Sequence, residues 1–224
     1  MMETRRDPRG PLDLATRVDW TRVFGREAPL EVEIGSGQGG FALDHSAAHP
    51  EVNFVAFEVR RKFARETAEK ARARGITNLR CWAADAKVVL PRLFTPGSVQ
   101  VIHIQFPDPW WKKRHHGRRL VEDEFSILLY NLLRPDGLLE VRTDVEGRGV
   151  EMAAALEAVG FVNRFGPGNL APYDPTEVPS TRERGYLARG QPIYRYKFGR
   201  TEAPPHWAEA PLPETSVGPE QRRR

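Results

Sequence analysis

The chain has 224 residues, 40% of them apolar and 29% charged, and 34 Lys+Arg against 30 Asp+Glu leave a net charge of +4. That length suits one globular domain with a sizeable core; the single cysteine, Cys81, excludes an internal disulfide framework, and no apolar run reaches the roughly 18 residues of a membrane span. The opening Met1-Met2-Glu3-Thr4-Arg5-Arg6 lacks the apolar stretch of a signal peptide, so a cytoplasmic protein without membrane association is expected, and its excess of cations agrees with a polyanionic partner.

Residues 1–25 read as an extension, polar and Pro-containing at first, with a short helix over about Thr16–Phe24. An alternation then begins. Leu30–Ile34 is a buried strand ended by Gly35, Phe41–His49 a helix, and Asn53–Glu58 a second strand. Arg60–Arg74 is a helix with an exposed basic face, Leu79–Ala84 a third strand, Lys87–Leu93 a short helix, and Val99–Phe106 a β-branched and aromatic fourth strand. Glu122–Leu133 has helical spacing, with Phe125, Leu128, Leu129, Leu132 and Leu133 on one side. Arg134-Pro135-Asp136-Gly137 turns the chain into a fifth strand, Leu138–Arg142, and Gly149–Val159 is a further helix. Past Gly160 the rhythm changes: Phe161–Phe165 and Ile193–Phe198 look like strands separated by a long loop rich in Pro and charge. The spacing predicts an α/β, Rossmann-like domain over residues 26–200, with a mostly parallel seven-stranded sheet, an antiparallel edge pair and helices on both faces. Residues 201–224, rich in Pro and ending Arg222-Arg223-Arg224, are expected to be disordered.

Val32-Glu33-Ile34-Gly35-Ser36-Gly37-Gln38-Gly39-Gly40 lies where the first strand meets the first helix of the alternation. Glycines there allow a tight turn and close approach of a ligand. Gly35, Gly37 and Gly40 fit the G-x-G-x-x-G of a dinucleotide fold; Glu33 with Gly35, Gly37 and Gly39 fits the E-x-G-x-G-x-G of methyltransferases that use S-adenosylmethionine. Glu33 favours the second, because a carboxylate beside a pyrophosphate is repelled by roughly 1 kcal/mol or more, whereas an ammonium and a sulfonium are attracted. Glu58, about 20 residues on at the end of the second strand, stands where an acid accepts hydrogen bonds from a ribose diol. Asp85 follows the third strand, suited either to an adenine amino group or to capping the next helix.

The densest block of chemistry is Gln105-Phe106-Pro107-Asp108-Pro109-Trp110-Trp111-Lys112-Lys113-Arg114-His115-His116-Gly117-Arg118-Arg119. A lone carboxylate, Asp108, stands between prolines and aromatic residues, and uncompensated cations follow. Trp110 or Trp111 is suited to stacking on a base and the other to the core; Lys112, Lys113, Arg114, Arg118 and Arg119 are suited to the phosphates of a nucleic acid. No metal site is expected.

On these blocks the chain resembles the bacterial single-subunit tRNA (guanine-N7-)-methyltransferase family. The matching stretches are Glu33–Gly39, Phe57-Glu58-Val59, Asp85-Ala86, Phe106–Trp110 with Lys112–His115, Arg142-Thr143-Asp144, and Ser180–Glu183 leading into Gly190–Arg195. The resemblance spans roughly residues 29–198. It implies a class I methyltransferase domain, S-adenosyl-L-methionine held by Glu33, Gly35, Gly37, Gly39, Glu58, Asp85 and Asp108, and Asp108 at the reaction centre. It further implies substrate contacts from Lys112, Asp144, Ser180, Thr181, Arg182 and Glu183, tRNA as partner, and a variable-loop guanine as target, in a monomer or homodimer. Ser180 stands where the family's T-x-x-E motif begins with threonine, and Thr181 beside it leaves the register open by one residue.

Guanine N7 carries an in-plane lone pair, so no proton need leave before it attacks a methyl group. Alignment and electrostatics then suffice, with Asp108 placed to accept hydrogen bonds from guanine N1–H and N2–H. N7 faces the major groove, which in A-form RNA is closed to side chains, so an extruded base is expected. The alternatives are an amino-group methyltransferase acting on adenine, whose Asp/Asn-Pro-Pro-aromatic order Pro107-Asp108-Pro109-Trp110 does not follow, a non-catalytic RNA-binding module, and an NAD-dependent oxidoreductase.

Overall fold

The computed structural model describes residues 17–108, 120–121 and 123–200. The start of the N-terminal extension, the Trp110–Arg119 block and the Pro/Arg-rich tail lie outside them. The strands are β1 (Leu30–Ile34), β2 (Asn53–Glu58), β3 (Leu79–Ala83), β4 (Val99–Gln105), β5 (Leu133–Thr143), β6 (Val162–Asn163) and β7 (Tyr194–Gly199). The helices are α1 (Trp20–Phe24), α2 (Gly40–Ala48), α3 (Arg61–Ala73), α4 (Ala86–Leu93), α5 (Asp123–Leu132), α6 (Glu146–Ala158) and α7 (Thr181–Ala188).

The seven strands form one sheet in the order β3-β2-β1-β4-β5-β7-β6. The first five are parallel, and β7 runs antiparallel to both β5 and β6. This is the Rossmann-like arrangement expected from the alternation, with the antiparallel pair at the edge. The chain order reverses between β1 and β4, where ligands of open parallel sheets bind, outside the carboxyl ends of the strands.

Alternation along the strands gives the sheet two unlike faces. Leu30, Val32, Ile34, Ile102, Ile104, Leu139, Val141, Tyr196 and Phe198 point into the large apolar core with α4, α5 and α6. Trp20 of α1 joins them, its ring stacked on Phe94 at 4.7 Å and edge-on to Trp82 at 5.5 Å. The opposite face has a smaller apolar cluster under α2 and α3, built on Phe41, Phe54, Ala56, Ala71 and Leu79. Between that cluster and α7 lies a buried ionic layer: Glu31 and Glu33 from β1, His103 from β4, Glu140 and Arg142 from β5, Arg195 from β7. Register places Glu33, His103, Glu140 and Lys197 side by side across four strands.

Buried charge is tolerated only when paired, and nearly all of this layer is. Glu31 lies 2.7 Å from His45 and 3.0 Å from His103. Glu140 lies 3.2 Å from Lys197, 3.4 Å from His103 and 3.6 Å from Arg142. Burial opposes charge on His103, but Glu140 and Glu31 overcome it and raise the imidazole to about 9. Burial also opposes charge on Glu31, yet His103 and His45 bring it down to about 2.

Most element ends shift by one to four residues from the sequence reading, β6 shrinks from Phe161–Phe165 to Val162–Asn163, and two differences bear on the site. β5 begins at Leu133 instead of Leu138, because Leu133 still pairs with Val99; the next pairing is Val101 with Leu138, and Arg134–Gly137 are accommodated at that register shift. The long loop before β7 contains α7, N-capped by Ser180, whose Oγ accepts from Glu183 N–H at 3.2 Å at the third helical position.

Candidate cofactor and base-binding site

The glycine turn is held from below by β2. Phe57 C=O accepts from Gly35 and Ser36 N–H, at 2.8 and 3.0 Å. Gly35, Gly37 and Gly39 have φ of +79°, +55° and +76°, a conformation that L side chains rarely adopt. Gly39 is doubly constrained: a Cβ there would lie 2.2 Å from Thr67 Oγ1 of α3, and Thr67 is fully buried. The turn therefore packs against α3 with no side chain between.

Two carboxylates adjoin this turn and a third stands after β3, each in a different state. Glu58 accepts from Gly37 N–H with one oxygen and from Arg60 N–H with the other, both at 2.8 Å. Each oxygen keeps a lone pair that can accept from a ligand hydroxyl. Asp85 is exposed and caps α4, accepting from Lys87 N–H at 2.9 Å. Glu33 is 1% exposed, and its Oε2 has no hydrogen-bond partner among the described residues. Burial pushes its carboxyl up to about 8, His103 opposing the rise and Glu58 adding to it. An orphaned buried carboxylate beside a ligand turn is suited to a cation brought by that ligand.

β4 brings Asp108 to the same rim. Its pairing with β1 runs to Ile104 opposite Ile34, so Phe106-Pro107-Asp108 leave the sheet next to the glycine turn, with Asp108 exposed. Phe106 has φ +50°, a left-handed conformation that costs a bulky residue of order 1–3 kcal/mol. Its N–H donates to Arg142 C=O at 2.7 Å, so the bend after β4 is held by the end of β5.

α7 adjoins these strand ends. Its first residue, Thr181, leans over the start of α2, where a Cβ on Gly40 would meet Thr181 Oγ1 at 2.0 Å. Arg184 bridges sideways to Asp44 of α2 at 2.9 Å. Arg182 donates to Phe106 C=O at 3.4 Å, with its guanidinium over the Phe106 ring at 5.8 Å. Tyr186 stacks on that ring, and its hydroxyl donates to Asp144 Oδ2. Beneath the helix, Glu183 is 2% exposed; Arg142 donates to it at 2.5 Å, and Arg195 donates twice, at 2.7 and 3.0 Å.

The structure thus gathers Glu33, Gly35, Gly37, Gly39, Glu58 and Asp108 along neighbouring strand ends and the turn after β1, with Asp85 after β3. Asp144 and α7 come from β5 onward. Within Ser180–Glu183, Ser180 is the buried cap and Glu183 the buried anchor, while Thr181 and Arg182 are exposed. Lys112, Lys113, Arg114, Arg118 and Arg119 lie outside the described residues, as do Trp110, Trp111, His115 and His116. Sequence reasoning did not single out Tyr186, Thr67, Arg142 or Arg195 as parts of the site. The spacing Ser180-x-x-Glu183 was the available signal for α7; Arg142 and Arg195 stand within stretches that carry the family resemblance but had no role assigned, and nothing local marks Thr67.

Residues 27–196 match the family model described as "Putative methyltransferase". The chain is 55% identical to a tRNA (guanine-N(7)-)-methyltransferase of Myxococcus xanthus, over 82% of this chain and 89% of that protein. It is 52% identical to the protein of that name from Anaeromyxobacter dehalogenans, over 80% and 90%. Among solved structures, the fold resembles the 16S rRNA methyltransferase KamB, with a TM-score of 0.60 at 16% identity, covering 83% of this chain and 94% of that one. A 16S rRNA (adenine(1408)-N(1))-methyltransferase from Catenulisporales acidiphilia is similar to the same degree, TM-score 0.60 at 17% identity over 88% and 94%. Both show a Rossmann-like methyltransferase fold. The chain belongs to the tRNA (guanine-N(7)-)-methyltransferase family.

Proposed function

We propose that the protein transfers a methyl group from S-adenosyl-L-methionine to N7 of a guanine in tRNA, with a variable-loop guanine as target. The observation that carries this is the meeting of two acids at the β1/β4 switch point: buried Glu33 beneath the glycine turn, its Oε2 without a hydrogen-bond partner among the described residues, and exposed Asp108 at its side. When bound, the cofactor supplies an electrophilic methyl on a cationic sulfur. The residues fit such a group: the orphaned oxygen of Glu33 suits a cation, the glycine turn admits close approach, and Glu58 can accept from a ribose diol.

On this reading the chain's own groups act by placement and charge. Asp85 stands by the adenine. Asp108 accepts from guanine N1–H and N2–H, selecting guanine over adenine, and its negative charge favours the positive charge that builds on the ring. Asp144, held by Tyr186, and the exposed Thr181 and Arg182 border the base from the α7 side. Ser180 and Glu183 serve the substrate by fixing that helix. Lys112 contacts the substrate, and Lys113, Arg114, Arg118 and Arg119 meet tRNA phosphates. The setting of this reaction is the cytoplasm, with the protein a monomer or homodimer acting on tRNA. No helix among the described residues is long and apolar enough to cross a membrane.

The test is transfer of labelled methyl from S-adenosylmethionine to bulk unmodified tRNA, with nucleoside analysis of the product. The expected product is 7-methylguanosine. Methylated adenosine, or cofactor binding with no transfer to any tRNA, overturns the proposal.

A further inference from the structure

Glu31, His45 and His103 come from β1, α2 and β4, and no two are close in sequence. In the fold their ligating atoms lie within 4.8 Å of one another. Glu31 Oε2 is 2.7 Å from His45 Nε2 and 3.0 Å from His103 Nε2. Two imidazoles and one carboxylate converging on one point is a donor set for a divalent ion, and its nitrogen content suits Zn2+, Co2+, Ni2+ or Cu2+ over Mg2+ or Ca2+.

A second observation concerns the far nitrogen of His103. Its Nδ1 is buried and makes no hydrogen bond of good geometry among the described residues, and the Glu140 carboxylate stands 3.4 Å away. A carboxylate behind a histidine, on the nitrogen that does not face the ion, is the usual outer support of a metal-bound imidazole. The access side also has ligand-type residues: the His49 ring lies 4.5 Å from that of His45, and His49 pairs with Glu51 at the surface. Phe41 and Phe54 pack against the His45 ring, at 5.0 and 5.1 Å, and against the His103 ring, at 5.1 and 5.7 Å.

We propose that Glu31, His45 and His103 form a binding site for a divalent transition-metal ion of the zinc class, with Glu140 orienting His103 from behind. Around such an ion at roughly 2.0–2.2 Å, the two O···N distances widen from their hydrogen-bonded 2.7 and 3.0 Å. The ion replaces the protons now shared by Glu31 and the two imidazoles, and those protons leave to solvent. Its position gives it a structural role: it ties together β1 and α2, which flank the glycine turn, and β4, which carries Asp108. It takes no part in methyl transfer.

The test uses the full chain, stripped with a chelator, without tRNA or S-adenosylmethionine, so its outcome is independent of the activity assigned above. Zn2+ is titrated in competition with a chromophoric chelator, and Co2+ is followed by its visible d–d absorption. One tight equivalent is expected, with low-symmetry Co2+ bands and a rise in Tm on adding Zn2+. His45→Gln, at a partly exposed position, is expected to abolish that equivalent, and Glu140→Gln to weaken it about 10–100-fold. The pair His115→Ala with His116→Ala is expected to leave it in place. Absence of a tight equivalent in the folded wild-type chain, or one that survives His45→Gln, overturns the proposal.

Discussion

The Tyr186 ring lies parallel to that of Phe106, with centroids 5.9 Å apart and planes 5° from each other. Phe106 is the strained bend that delivers Asp108, and the Tyr186 hydroxyl reaches on to Asp144. One side chain of α7 therefore touches both the bend after β4 and the acid after β5. Tyr186→Phe keeps the stack and removes the hydrogen bond to Asp144, worth about 0.5–1.5 kcal/mol. The expected result is a roughly 2–10-fold loss in kcat/KM, carried by KM for tRNA, with affinity for S-adenosylmethionine unchanged. Steady-state kinetics with varied tRNA checks this.

Asp108→Asn retains shape and removes charge. If Asp108 holds the base and favours the developing positive charge, kcat falls by about 10²–10³, the range seen when one such electrostatic group is removed. Binding of S-adenosylmethionine and tRNA, measured separately by calorimetry and filter binding, is expected to remain within a few-fold of wild type. Unchanged turnover would remove Asp108 from the reaction centre.

Glu33→Gln separates stability from function. The buried carboxylate Oε2 has no hydrogen-bond partner among the described residues, and an unsatisfied buried polar atom costs about 1–3 kcal/mol. Burial already holds this carboxyl up at about 8, largely neutral near pH 7, so replacement by a neutral amide of the same shape is expected to leave the stability of the free protein in urea within about 1 kcal/mol of wild type. It also removes the charge meant for the cofactor, so Kd for S-adenosylmethionine is expected to rise at least about tenfold, a change of ~1.4 kcal/mol.

Glu183 gives the opposite pattern. It receives Arg142 and Arg195 in a dry setting, and removing one member of a buried ion pair costs about 3–5 kcal/mol. Glu183→Ala is therefore expected to lower Tm by about 10 °C, seen by calorimetry. A residue that met only the substrate would leave Tm unchanged and raise KM for tRNA.

Gly39→Ala probes the close packing of the turn. The new Cβ meets Thr67 Oγ1 at 2.2 Å in a backbone at φ +76°. Left-handed strain of about 1–2 kcal/mol adds to overpacking of about 1–3 kcal/mol. Loss of stability in denaturant melts is expected, together with weaker cofactor binding. Adding Thr67→Ala is expected to recover only the steric part.

Much of this protein is legible in local sequence. The Leu30-Glu31-Val32-Glu33-Ile34 alternation, the glycines after it and the next strand ending at Glu58 imply a parallel sheet with a ligand turn, because strand period and turn chemistry are short-range properties. The prolines beside Asp108 set that acid apart in the same way. α7 was hidden, since its eight residues come after a Pro-rich stretch and its mean composition is polar; only the Ser180–Glu183 spacing, a capping signal, announced a helix.

What the sequence by itself determined is the order of elements, the glycine turn and the placement of single acids at strand ends. Only the tertiary structure decided which of those acids are already engaged. Glu183 is neutralised by Arg142 and Arg195 from two other strands, Glu58 is tied into the turn, and Glu33 keeps an oxygen without a partner among the described residues. The same holds for Glu31, His45 and His103, scattered over more than seventy residues and brought to one point by the pairing of β1 with β4 and the packing of α2 on them. Burial and long-range pairing set the state of a charge, and neither is a property of the residue's neighbours in the chain.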